Sequence, residues 1–173
     1  MSGLVQILSI ILPAGAVLFG MYLVVKSFTQ KELEKRLVEI KLKNAELVVP
    51  IRLQAYERLC LLLERMSPEN LIVRVNESSF NSAVFHHRLL SEIREEFNHN
   101  LAQQVYVSHS NWMQIKYSID ELIGTINLAY REVDSESKSV ELAKTIFELW
   151  SAKEQDPINS TLNSLKAEIQ NIF

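Results

Sequence analysis

The stretch "WMQIKYSIDELIGTINLAYREV", residues 112–133, decides the fold class. Its apolar side chains Trp112, Ile115, Ile119, Leu122, Ile126, Ala129 and Val133 step 3-4-3-4-3-4. That spacing puts all seven on one stripe of an α-helix, whereas a strand would alternate every second residue. Ser108 and Ser110, just upstream, are both good N-cap types, so the helix starts after one of them. Gly124 lies inside it and marks either a close helix approach or a tolerated weak point.

Downstream, the same period returns twice. A helix over 137–152 is predicted around Val140, Ala143, Phe147 and Trp150. Asp156-Pro157 reads as a cap followed by the proline favoured in a first helical turn. Ile158, Leu162, Leu165, Ile169 and Ile172 then step 4-3-4-3. Upstream, "IRLQAYERLCLLLERM" is apolar over a broad face (Leu53, Tyr56, Leu59, Cys60, Leu62, Leu63, Met66), as expected of a central bundle helix. A further helical segment is expected over roughly 79–103. Glycine and proline total eight residues in 173, too few for a many-stranded sheet. "LIVRV" at 71–75 alternates, and "QVYVS" near 105–107 is its only mate, so one very short β pair on the helices is expected. Pro50 should kink or break the chain near Val49.

The N-terminal end differs in kind. Leu4 to Val25 is 22 residues without a charge and with one strongly polar side chain, Gln6. As a helix it spans about 33 Å, matching a bilayer's hydrocarbon core. A cleaved signal peptide would want a basic start and a shorter apolar run. The expectation is therefore a retained transmembrane anchor over 1–25, a basic juxtamembrane helix over 26–49 and an all-α helical domain over 50–173. Six of the 18 Lys and Arg (Lys26, Lys31, Lys35, Arg36, Lys41, Lys43) follow the span and none precedes it. Positive flanks stay cytoplasmic, so the body is expected in the cytoplasm and the N-terminus outside. The same cations can face anionic lipid. Within the span, Ala16 and Gly20 form a small-xxx-small pair that permits helix–helix packing. Beyond it, Leu33, Leu37, Ile40 and Leu47, with Asn44 in the same row, make a stripe that packs on a partner or on the chain's own body.

Outside residues 26–43 the chain carries 12 basic and 18 acidic side chains, and the net charge of the whole is −3. An acidic body argues against a nucleic-acid partner. The lone Cys60 excludes an intrachain disulfide and reads as a small buried thiol. There is no Gly-x-Ser-x-Gly elbow and no phosphate-cradling glycine loop, so no small-molecule substrate or cofactor is indicated. Glu96 and His99 form a Glu-x-x-His pair, with Glu92 one turn back. Di-iron bundles need two such pairs and two further glutamates, and no second pair exists here. Glu92, Glu96 and His99 are therefore minor metal candidates, with Arg88–Glu92 and Glu95–His99 pairs in solvent as the ordinary alternative. His86 is expected half-buried and bonded to backbone, and His109 exposed.

"VVPIRLQAYERLCLLLERMSPENLIVRV" (48–75) and "LLSEIREEFNHNLAQQVYVS" (89–108) carry a resemblance. The order of the span, the run at Arg52–Leu59, the Glu-Arg-x-Ser-Pro turn and the Glu-Glu-Phe-x-His-Asn-Leu segment at Glu95–Leu101 is similar to a family of uncharacterised single-pass membrane proteins of Bacteroidota. The resemblance covers residues 1–133. It implies a bacterial inner membrane and transfers no activity. The functional expectation is a non-enzymatic adaptor, scaffold or accessory subunit of a membrane complex, meeting other membrane proteins or a second copy. Trp112, Trp150, Leu162, Leu165 and Ile169 are the candidate contact residues. A metal-dependent enzyme on the Glu92/Glu96/His99 edge and a membrane-tethered sensor are the alternatives.

Overall fold

The computed structural model describes Ser2–Gln170; Ile172, the last member of the C-terminal stripe, lies outside the described residues. The chain is all-α, with helices α1 (Ser2–Met66), α2 (Pro68–Val75), α3 (Ser82–His99), α4 (His109–Glu132), α5 (Ser139–Ser151) and α6 (Pro157–Gln170). A short 3-10 turn, Leu101–Val105, joins α3 to α4. Two compact units divide the chain, one over residues 1–49 and one over 50–173.

In the first unit α1 is a lone helix. From Ile11 to Val25 its large apolar side chains are 48–70% exposed. In the second unit the core is built from the broad face of α1 (Tyr56, Leu59, Leu62, Leu63, Met66) and the stripes of the other helices. Helix α4 lies against α3, α5 and α6. Its predicted stripe is buried from Trp112 to Ala129, and Val133 becomes the half-buried residue that ends the helix. Ser108 is the N-cap, its Oγ accepting from the Asn111 amide at 3.3 Å.

Several expectations need correction. "LIVRV" is not a strand but most of α2. Ser67 takes an extended conformation (ψ 138°) because Pro68 forbids the helical one, and its side chain then caps the new helix. Leu71 and Ile72 are buried while Val73 is 79% exposed, a helical rather than alternating pattern. Residues 101–105 form the 3-10 turn instead of the mating strand. Among the described residues the one bridge of β type joins Asn81 to Lys138 and ties the start of α3 to that of α5. Ser82 N–H donates to Ser137 O at 2.8 Å and Ser139 N–H to Phe80 O at 3.2 Å beside it.

Of the kink or break expected near Val49, the break does not occur: α1 runs through Pro50. Val49 has no side-chain acceptor to cap a fresh helix. A break there would orphan up to four amides, whereas continuing forfeits one hydrogen bond. On α5 the buried face is Leu142, Ala143, Ile146 and Trp150, while Val140 is 63% exposed and Phe147 half-buried. Ala143 and Trp150 are buried as expected, and Leu142 and Ile146 stand in for Val140 and Phe147 because they satisfy the same period from a neighbouring start.

Candidate functional site

The side chains with chemical potential fall into four groups. The first is the charged edge singled out by the Glu-x-x-His spacing. Glu92 and Glu96, half-buried on α3, are engaged by two arginines that sequence spacing gave no reason to pair with them. Arg74 of α2 donates to Glu92, and Arg65 of α1 donates to Glu96 and lies 4.0 Å from Glu92. Arg74 also reaches the Arg65 carbonyl at 3.4 Å. Glu95 accepts from Ser91 at 2.8 Å rather than pairing with His99, which is exposed. Glu92 pairs with Arg74 rather than Arg88. Among the described residues no three His, Cys, Asp or Glu side chains converge on a point that could hold a metal. Glu92 and Glu96 are instead paired with Arg74 and Arg65.

The second group surrounds Glu168 of α6, which the sequence did not mark. Its carboxylate accepts from Tyr56 Oη at 2.7 Å, from Ser108 N–H at 2.9 Å, from Ser108 Oγ at 2.8 Å and from the Asn111 amide. Ser164 Oγ donates to the other end of Asn111 at 2.6 Å. Arg52 of α1 donates to the Tyr106 carbonyl at 3.2 Å and to Tyr56 Oη at 3.4 Å. Burial works to raise the Glu168 carboxyl, but the bonds from Tyr56, Asn111 and Ser108 outweigh it and hold the group below the usual carboxylate range. Burial first, and the Glu168 bond second, raise Tyr56 above an ordinary phenol. One anion thus sits at the N-terminus of α4, where the helix dipole favours it, and clasps α1, α4 and α6.

A third group lines the junction of α3 and α4. His86 Nε2 is 2.9 Å from Asn127 Oδ1, and its ring stacks on Tyr130 with centroids 4.2 Å apart. The expected half-buried histidine is there, bonded to a side chain rather than to backbone. Further along, a notch of about 110 Å³ is floored by Ile93, Phe97, Ile119 and Ile123 and rimmed by Arg94, Lys116 and Asp120. Cys60 is half-buried, and burial pushes its thiol up, so it is a poor nucleophile. His109 is exposed, as expected. Gly124 faces open space, with no atom near where a Cβ would stand, so it marks no close approach.

The fourth group is the surface of the first unit. Lys26, Lys31, Lys35, Arg36, Lys41 and Lys43 are all exposed, and Arg36 pairs with Glu32 one turn back at 3.3 Å. Ala16 and Gly20 are exposed, and among the described residues nothing lies within 4 Å of where a Cβ on Gly20 would stand. The five candidate contact residues go elsewhere. Trp112, Trp150, Leu162 and Leu165 are at most 7% exposed inside the second unit, and Ile169 is packed against the same core. Their stripes are spent on intramolecular packing, because a helix in a bundle buries its apolar face on its own neighbours first. No curated protein and no solved structure matches the chain. One family model matches residues 2–172, and its description is a family of unknown function.

Proposed function

The chain belongs to that family of unknown function (DUF7935), and we propose that it is a non-enzymatic, single-pass membrane protein whose helical domain serves as an adaptor, scaffold or accessory subunit of a membrane assembly. One observation carries the reading. Helix α1 is long and apolar enough to cross a bilayer, and its large side chains from Ile11 to Val25 are 48–70% exposed. Burying that surface in lipid is worth about 25 cal/mol per Å², and among the described residues none covers it instead.

The basic flank supports a cytoplasmic body and an external N-terminus, and the resemblance to proteins of Bacteroidota supports the bacterial inner membrane as the compartment. The adaptor role is supported by the state of the polar groups. The strongest clusters, at Glu92/Glu96 and at Glu168, are engaged by arginine, tyrosine, serine and asparagine of the chain itself, which suits a rigid platform better than a reacting centre.

The test is fractionation of the full chain. It is expected in the membrane pellet after an alkaline carbonate wash, with its domain protected from protease added outside spheroplasts. Release into the wash would overturn the anchorage, and external digestion would overturn the orientation. Affinity purification from solubilised membranes should bring down a second membrane component or a second copy; a lone monomer would overturn the adaptor role.

A further inference from the structure

We propose that two copies of this chain associate in parallel through a seam on α1 made of Leu33, Leu37, Ile40, Asn44 and Leu47. The proposal rests on the membrane anchorage above and names one partner for it. These positions step 4-3-4-3, the d-a-d-a-d rhythm of a coiled coil. The four apolar members are 55–70% exposed in a segment that follows the span, so among the described residues none covers them.

Asn44 says what covers them. At an a position facing an unlike apolar surface, its amide would lose water without gaining a partner. Facing its own copy in register, one amide donates to the other's carbonyl, which a parallel dimer brings about and an antiparallel one does not. Identical anchors in one membrane impose that arrangement, since both helices leave the bilayer in the same direction and at the same height. Two heptads are marginal alone in water, but confinement by the anchors raises the effective concentration toward the millimolar range, which offsets the shortness of the seam.

The flanks set the salt dependence. In this register Arg36 at g of one copy faces Lys41 at e of the other, a like-charge pair. Arg36 is partly neutralised by its own Glu32 at 3.3 Å. Association should therefore strengthen as salt screens the residual repulsion, whereas an acidic helix on the same face would bind more weakly.

The experiment uses the full chain in membranes, with Cys60→Ala removing the native thiol. Leu47→Cys and Ile40→Cys are expected to give a disulfide-linked dimer on oxidation, and Glu46→Cys, which points away from the seam, is not. Equal linking at 46 and 47, or none at 40 and 47 with the protein in the carbonate pellet, overturns the seam and leaves the anchor standing. Protein in the wash overturns the anchorage on which both depend. A yield at Leu47→Cys that fails to rise with salt overturns the register that sets Arg36 of one copy against Lys41 of the other. Asn44→Leu should raise the oligomer above a dimer by native mass measurement; an unchanged dimer would overturn the amide pairing. The seam lies outside the buried core, so the helical content of every variant should match the parent, which separates loss of association from loss of fold.

Discussion

At the scale of single residues, Glu168 does the most. Its carboxylate holds a tyrosine, a serine and an asparagine that come from 57 to 112 residues away in the chain. Glu168→Ala would leave Tyr56 Oη and the Asn111 amide without their acceptor. It is expected to cost about 1–3 kcal/mol in urea unfolding. The pH dependence has a defined sign. The folded-state pKa lies below the unfolded one, so the contribution is complete above the ordinary glutamate value and is lost as pH falls through the lower folded value. Glu168→Gln should flatten that part of the acid limb of the stability curve; an unchanged acid limb would show that the clasp does not form. The raised thiol pKa of Cys60 gives a separate expectation. Alkylation at neutral pH should be slow in the folded chain and should speed up in denaturant.

At the scale of elements, the two prolines behave oppositely for a local reason. Pro68 follows Ser67, which can cap, and a new helix begins; Pro50 follows Val49, which cannot, and α1 continues. Ser67→Ala should therefore weaken α2 by about 1 kcal/mol. Asn70 N–H, 3.4 Å from Ser67 Oγ, should exchange faster as a result. Gly124 sits in the exposed interior of α4 with open space around it. Gly124→Ala is expected to raise stability by roughly 0.5–1 kcal/mol, read as an increase in the urea midpoint. A destabilised variant would mean that the helix face is not free. The misread α2 shows how short apolar runs deceive. Five residues fit both periods, and the cap rather than the β-branched side chains settled the outcome.

At the scale of the whole molecule, the first unit presents apolar and basic surface in sequence order, first the candidate span and then the cations. Exchanging Lys31, Lys35, Arg36, Lys41 and Lys43 for glutamate should remove the cytoplasmic bias of the flank, read by protease access to the domain. Binding to vesicles rich in anionic lipid should weaken in the same variant, by about 1 kcal/mol per cation that lies near the surface. Much of this was written locally. The apolar run of residues 4–25, the basic flank, the 3-4 rhythm of α4 and the Asp156-Pro157 start of α6 depend only on neighbours within a few turns, so the chain alone determined the all-helical class and the candidate span. Contacts between distant segments were another matter. Nothing local pairs Glu168 with Tyr56, or Glu92 and Glu96 with Arg74 and Arg65, and a stripe at helical spacing looks the same whether it covers a partner or its own core. Burial of Trp112 and Trp150, the closing of the metal-like edge by arginine and the clasp at Glu168 were decided by tertiary packing, because only the folded chain brings those side chains within a few ångströms.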